Sequence, residues 1–360
     1  MTATAGREPR SDLRDFLRSR RARIGPEAVG VAAHPGRRRV PGLRREEVAQ
    51  LAGVSVDYYT RLEQGRTLHV SAEVLDAVAR ALRLDATERS HLFDLARPQR
   101  SPGRAADSAG GGPGPAGTDG PQRVRAGLYR VLDALDDGTP AMIMGRRLDV
   151  LAANRLAEVL YADFGAPEGD GLEGDGPEGD GPEGGAVGAD AVKSGAAELD
   201  TVELDAVESG VTVGSGTPGQ RGRNLARFLF LDPAARALFA DWESAARGAV
   251  AALRFYAGRH PYDPALSPLV DELAALDADF RRWWAGHDVL EHTHGTKRFR
   301  HPAVGELALE YESLTFPDDP DQTLYLYTAE PGSPSDEALR TLASRPAGAA
   351  RAAGAGHPRR

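Results

Sequence analysis

The sequence predicts two ordered parts, an all-α domain of five short helices followed by an α+β domain built on an antiparallel sheet. Apolar residues recur at helical spacing in short runs between residues 11 and 96. Polar and apolar residues alternate in Glu306–Tyr311 and Thr323–Thr328, which is typical of half-buried strands. Residues 98–122 are rich in Pro, Gly, Ser and Ala and predict a flexible linker between the two parts.

In the first domain, taken as residues 1–97, we expect helices at residues 12–24, twice within 43–65, at 71–82 and at 87–96. Ser11 is expected to cap the first helix. Gly53 separates the second and third helices, because glycine adopts the left-handed conformation of a tight turn without steric cost. Ser55 is expected to cap the third helix, with Tyr59 and Leu62, three residues apart, facing the core.

The second domain, taken as residues 123–344, is expected to combine strands and helices. We expect helices at 123–135, 154–164, between 224 and 285 and at 334–343, and strands at 141–145, 148–152 and within 289–328. These strands predict one mixed antiparallel sheet that helices cover on one face. Residues 165–219 contain an acidic repeat of Gly, Pro, Glu and Asp that buries too little apolar surface to order itself, so we expect a disordered insertion. The tail at 345–360 is also expected to be disordered.

The composition excludes several classes of protein. The chain has no cysteine, so it forms neither disulfides nor cysteine–zinc sites. The N-terminus lacks the apolar run of a signal peptide, and no stretch is long and apolar enough to span a bilayer. We therefore expect a cytoplasmic protein without membrane contact. Neither a phosphate-binding glycine loop nor a nucleophile-elbow motif is present, so we expect no enzyme activity and no cofactor.

The charge is divided between the two ends of the chain. Residues 1–104 hold 20 Arg and 13 acidic residues, a balance of +7, so the remainder of this −9 chain carries −16. A basic first domain suits a phosphate backbone, whereas an acidic body resists non-specific wrapping on nucleic acid.

The third helix predicts a surface that enters the major groove of double-stranded DNA, because the outer side of its N-terminal half is polar. The expected DNA contacts are its cap, its outward face and the flanking arginines: Arg44, Arg45, Ser55, Val56, Asp57, Tyr58, Thr60, Arg61 and Arg66. An ordinary helical hairpin is the alternative, and an ion pair with Glu63 is the alternative role for Arg45. One such helix reads few base pairs, so we expect a homodimer on a palindromic operator with half-sites about 10 base pairs apart.

The run from Val40 to Arg66 resembles the helix-turn-helix regulators of the xenobiotic-response-element type, whose fold is lambda-repressor-like. The second domain resembles the MmyB-like ligand-binding domain in four runs, residues 148–160, 224–236, 297–314 and 321–335. The resemblance implies a bacterial transcription regulator with a PAS-like C-terminal domain that binds a fatty acid or a similar apolar molecule. The acidic insertion is longer than this family's usual connection, and the loop at 67–69 departs from the usual Gly/Pro-rich form.

Aromatic and polar side chains of the second domain are candidates for the walls of an apolar pocket. The candidates are Asn154, Arg227, Phe228, Phe255, Trp283, Trp284 and His292. An arginine among them could meet a carboxylate head group. Plain core packing is the alternative for each aromatic residue.

A cluster of histidines suggests a second hypothesis, a metal-sensing regulator. His292 and His294 alternate on an extended segment and so share a face, with His287 and His301 nearby in sequence. Imidazoles at such spacing could bind a transition metal, although no neighbouring pattern supplies a further ligand.

Overall fold

The computed structural model describes residues 9–30, 42–67, 70–96, 122–135, 138–161 and 223–344. The predicted insertion and tail, and the predicted linker up to residue 121, lie outside the described residues. No helix in the described ranges is both long and apolar enough to cross a bilayer.

The first part of the chain is helical, as predicted. Its helices are α1 (Pro9–Arg23), a short 3₁₀ helix (Pro26–Val29), α2 (Arg45–Ala52), α3 (Val56–Glu63), α4 (Ala72–Ala81) and α5 (Ala86–Ala96). The prediction that Ser11 caps the first helix is wrong, because α1 already begins at Pro9 and Ser11 lies inside it. Phe16, Leu17, Val48, Tyr59 and Leu62 are fully buried in the shared core of these helices.

The second part is an α+β domain, as predicted. Its helices are α6 (Ala126–Ala134), α7 (Arg155–Leu160), α8 (Leu225–Leu231), α9 (Pro233–Leu238), α10 (Trp242–Arg259), α11 (Leu266–Leu276), α12 (Ala278–Trp284) and α13 (Pro334–Ala343). Its strands are β1 (Ala141–Met144), β2 (Val150–Ala153), β3 (His294–His301), β4 (Gly305–Phe316) and β5 (Asp319–Thr328).

The five strands form one sheet in the order β2-β1-β5-β4-β3, and every pairing between them is antiparallel. The predicted antiparallel sheet is confirmed, and only the word mixed in that expectation needs correction, because none of these pairs is parallel. Residues alternate between the two faces of a strand, and along β5 this places Tyr325 and Tyr327 on one face and Leu324 and Leu326 on the other.

The sequence predicted cover on one face only, and the second face is covered in part, because the outward residues of β3 and β4 are exposed. The main core lies on the tyrosine side, between the sheet and helices α7 to α13. A smaller core lies on the opposite side, where Leu132 of α6 packs against Ile143 and Leu324. Helix α6 thus shields β1 and β5 on this face, whereas β3 and β4 stay exposed there.

The helical part and the α+β part contact each other directly. Phe255 of α10 and Val289 are buried together with the core residues of the first part. The side chain of Arg20 donates a hydrogen bond to the carbonyl oxygen of His287 at 2.6 Å and forms an ion pair with Glu88 at 2.8 Å. Arg254 approaches Asp12 at 3.6 Å. This contact surface, the α1/α5–α10 interface, buries charged groups as well as apolar ones.

Candidate functional site

The turn between α2 and α3 has the geometry that the sequence predicts. Gly53 lies in the left-handed region at φ 68°, and Ser55 caps α3 by accepting a hydrogen bond from the Tyr58 amide at 3.1 Å. Buried Tyr59 and Leu62 anchor the inner side of α3. The buried side therefore fixes the orientation of the helix, and no other part of the described structure covers its outer side.

The outer side of α3 is exposed to solvent. Asp57 keeps 80% of its side chain exposed, Arg61 keeps 55%, and Val56 is also exposed at 47%. Tyr58 and Thr60 are half-buried. Asp57 and Arg61, one helical turn apart, form an ion pair at 3.5 Å, and such an exposed pair contributes at most about 1 kcal/mol. The two groups are therefore easily separated by a stronger partner.

The flanking arginines differ in their surroundings. Arg44 is half-buried beside Glu46 at 3.4 Å, and Arg66 is exposed just beyond α3. Arg45 instead donates to the carboxylate of Glu63 at 2.9 Å, which is the structural role considered as its alternative. Glu63 has only 1% of its side chain exposed and also forms an ion pair with Arg21 at 3.0 Å. Arg45 thus helps to neutralise a buried carboxylate, which limits its freedom to contact phosphate.

Two polar residues predicted for the ligand pocket have structural roles instead. The Oδ1 atom of Asn154 accepts from the amides of Ala141 and Ala157, both at 3.0 Å, and its Nδ2 donates to the carbonyl of Thr139 at 2.8 Å. These bonds cap α7 and tie it to β1. Arg227 donates to Glu272 at 2.7 Å. Neither side chain points a free polar group at a ligand.

The four predicted aromatic residues of the pocket wall do not share one cavity. Phe228 packs near Phe239, whereas Trp283 lies among Phe230 and Trp242 in the main core. Trp284 stacks on Phe280 beneath the guanidinium of Arg254. Phe255 belongs to the α1/α5–α10 interface. The structure therefore does not bring these four residues around one cavity, because their rings are packed against other side chains of the two cores.

The structure places a small open pocket elsewhere, between β1, β2 and α7. Its volume is about 10 Å³, room for about one water molecule, and none of the predicted pocket residues lines it. The wall is formed by Met142, Val150, Ala153, Ala157, Glu158, Tyr161 and Arg223. Glu158 and Arg223 form an ion pair at 2.6 Å. Because ligand pockets enclose at least about 300 Å³, any organic ligand has to displace side chains here.

Apart from His292, sequence reasoning missed a cluster of polar side chains at the inner face of the sheet, the lysine–tyrosine cluster, which consists of Tyr161, His292, Lys297, Tyr311 and Tyr327. The Nζ atom of Lys297 lies 5.2 Å from the ring centre of Tyr311 and 5.7 Å from that of Tyr327. Tyr327 shares a hydrogen bond of 2.8 Å with Tyr161, and Tyr311 contacts His292 at 3.1 Å. Burial lowers the pKa of Lys297 to about 8 and that of His292 to about 4. The alternation of Lys297 with buried Phe299 could have revealed the inward lysine.

The four histidines of the metal hypothesis are not brought together. His294 and His301 lie at opposite ends of β3, about 23 Å apart along the strand. His301 bonds the carbonyl of Val159 through Nε2 at 2.9 Å and accepts from the Ala303 amide through Nδ1. The described ranges hold no group of three or more His, Cys, Asp or Glu suited to a metal ion.

Two comparisons with known families agree with this arrangement. A family model for the MmyB-like transcription regulator ligand binding domain matches residues 124–172 and 199–342, and a helix-turn-helix domain model matches residues 12–92. The gap between the first two ranges falls inside the acidic segment that the sequence predicts as an insertion. No curated protein matches the chain significantly.

Proposed function

The chain belongs to the MmyB-like transcription regulators and carries a helix-turn-helix domain, and we propose that it binds a palindromic operator as a homodimer under the control of a small apolar ligand. The two domains make it a DNA-binding transcription regulator with a ligand-binding part. Sequence specificity, dimerisation and a fatty acid or similar molecule as the ligand are the proposed refinements.

The observation that carries the DNA-reading proposal is the exposed outer face of α3, held rigidly by the Ser55 cap and buried Tyr59. Arg61 suits a bidentate contact with guanine, Asp57 can accept from cytosine, and Val56 can contact a thymine methyl group. Tyr58, Thr60 and the hydroxyl of Ser55 are suited to neighbouring base edges or phosphates. Arg44 and Arg66 would contact phosphates on either side, with Arg45 as a secondary contact.

Selection of bound duplexes from a random pool tests this proposal. We expect an enriched palindrome with half-sites about 10 base pairs apart, bound by two copies of the chain. Arg61→Ala should weaken binding by about tenfold or more and relax one position of the half-site. Arg340→Ala removes an equally exposed charge from α13 and is the matched control. Equal affinity for all sequences, or an unchanged preference in the Arg61 variant, would contradict base reading by α3.

A ligand in the second domain would alter DNA affinity through the α1/α5–α10 interface. Helix α10 is suited to this coupling because it is packed tightly at two glycines. A β-carbon on Gly248 would lie 2.8 Å from the ring of His292, and one on Gly258 would lie 2.4 Å from the ring of His91. His292 belongs to the lysine–tyrosine cluster and His91 belongs to the helical domain. A shift of α10 would therefore displace both histidine rings.

A further inference from the structure

Lys297 is unusual in both sequence and structure. The chain has only two lysines, Lys193 and Lys297, although arginine is abundant. Lys297 lies on β3 opposite Leu309, on the same side of the sheet as buried Phe299 and away from exposed Arg298. An inward-facing cation on a mostly apolar face requires a partner or carries a desolvation cost.

No protein carboxylate offsets this charge among the described residues. The ammonium group has neither an ion pair nor a hydrogen bond there, and it faces the rings of Tyr311 and Tyr327 instead. Cation–π contacts offset only part of the cost of burial. Other basic side chains in the same core, such as Arg227 and Arg254, each have an acidic neighbour. Lys297 therefore has an unused capacity for an anion.

The tyrosines connect this cation to the small pocket. The ring of Tyr161 lines the pocket, and its hydroxyl bonds Tyr327, whose ring faces the ammonium group. Met142, Val150, Ala153 and Ala157 supply the apolar part of the pocket wall. An apolar surface thus lies one tyrosine pair away from a positive charge, which is the layout that an amphipathic anion requires, and the apolar chain would enlarge the pocket by displacing side chains.

We propose that Lys297 is the anchoring residue for the carboxylate head of the domain's ligand. The Tyr161–Tyr327 pair would lie beside the first carbons of the ligand, and the apolar chain would be directed toward the β1/β2/α7 pocket. The proposal rests on the ligand-binding function proposed above and specifies its chemistry. The ligand is a monocarboxylate with an apolar body, and the head group is bound by a lysine rather than by an arginine. A carboxylate beside the ammonium group would make a charge-assisted hydrogen bond in a site of low polarity.

The ionisation of Lys297 supports this assignment independently of the contacts. Burial lowers its pKa to about 8, and a bound carboxylate would raise it again. Above pH 8, binding therefore requires uptake of a proton, and affinity for a carboxylate should fall by up to tenfold per pH unit. His292 is mainly neutral near pH 7 because burial and Lys297 lower its pKa to about 4, so it adds no competing charge. An uncharged ligand of the same length should show no such dependence.

Calorimetric titration of the full chain with octanoate and with octanol tests the proposal, because the two probes differ only at the head group. The wild-type protein should bind octanoate about tenfold or more tightly than octanol at pH 7. Lys297→Met should abolish this preference while keeping octanol affinity, and Arg298→Met, which removes the adjacent outward charge, should leave it unchanged. A preference that persists in the Lys297 variant would overturn the assignment.

A second measurement covers the case in which the methionine variant does not fold. Lys193→Arg leaves Lys297 as the one lysine, and reductive ¹³C-methylation then gives a single dimethyl-lysine NMR signal. The pKa read from that signal should rise on addition of octanoate and stay constant with octanol. A pKa that octanoate does not change would overturn the proposal.

The outcome is separable from the broader function. Operator binding is measured on the same preparations without either probe. If DNA selection succeeds while octanoate and octanol fail to bind, the carboxylate anchor is wrong and the DNA-binding function stands. If selection fails while octanoate binds with the expected preference, the proposed operator binding is wrong and the carboxylate anchor stands.

Discussion

His91 should make the stability of this protein sensitive to mild acid. The imidazole, on α5, is 2% exposed and lies between the rings of Phe16 and Phe255, at centroid distances of 5.0 Å and 6.2 Å. Burial is the main cause that lowers the pKa of His91 to about 3, and the nearby side chains of Arg254, Arg20 and His287 lower it further. The ring is enclosed by both parts of the chain, so opening the α1/α5–α10 interface exposes it to protons.

The sign and size of the effect follow from the two pKa values. An unfolded histidine titrates near pH 6.5, whereas folded His91 stays neutral down to about pH 3. The unfolded state therefore binds the proton first, and stability that is fully present above pH 6.5 is lost as the pH falls. Each pH unit in this window costs about 1.36 kcal/mol, so the step from pH 7 to pH 5 costs about 2 kcal/mol through His91.

Urea unfolding of the wild type and of His91→Phe at both pH values measures this contribution. Nδ1 of His91 has no hydrogen-bond partner among the described residues, so a phenyl ring replaces the imidazole without losing a bond at that atom. The wild type should lose about 2 kcal/mol more than the variant between pH 7 and pH 5. His292, with a pKa lowered to about 4, contributes equally to both proteins and cancels, and His294→Phe is an exposed control. Equal acid losses in the wild type and the His91 variant would refute the reasoning.

Three further substitutions test the supports of the two sites by chemical denaturation. Ser55→Ala removes the acceptor of the Tyr58 amide and should cost about 1 kcal/mol, and an unchanged stability would argue against the cap. Glu63→Ala leaves Arg21 buried without its carboxylate partner and should lower the free energy of unfolding by about 3–5 kcal/mol. A loss under about 1 kcal/mol, as measured for exposed ion pairs, would show that the pair is solvated. Asn154→Ala leaves two backbone amides and one carbonyl without their hydrogen bonds and should lower the free energy of unfolding by about 3 kcal/mol in the absence of ligand. A variant that is as stable as the wild type without ligand, but less stable when octanoate is present, would instead indicate that Asn154 contacts the ligand.

The helix-turn-helix was predictable because its determinants are local. Gly53 sets the turn, Ser55 caps the next helix, and Tyr59 and Leu62 recur at helical spacing, so a short window of sequence contains the whole motif. The exposed face of α3 follows as the complement of the buried one. Even the competing role of Arg45 was visible, since Glu63 lies at the inner end of the same motif.

The proposed ligand site was not predictable in the same way, because its geometry depends on residues far apart in sequence. Phe255 and Trp283 are both aromatic residues on predicted helices. Packing places Phe255 at the α1/α5–α10 interface and Trp283 in the main core. Likewise, the register of β3 on β4 brings Lys297 over Tyr311, and β5 adds Tyr327. Aromatic content identifies a core, whereas only the strand pairing identifies which polar groups meet inside it.

Helix α10 explains how two separate cores can respond to one event. Its glycines Gly248 and Gly258 are ten residues apart, about 15 Å along the axis, and each is in close contact with a histidine ring. Packed interiors change between discrete arrangements rather than deforming continuously, because tight contacts leave little room for small displacements. A carboxylate beside Lys297 would change the electrostatic environment of His292 at one end of the helix. At the other end, His91 lies against the same helix inside the domain that carries α3, so a displacement of α10 large enough to relieve one contact has to disturb the other.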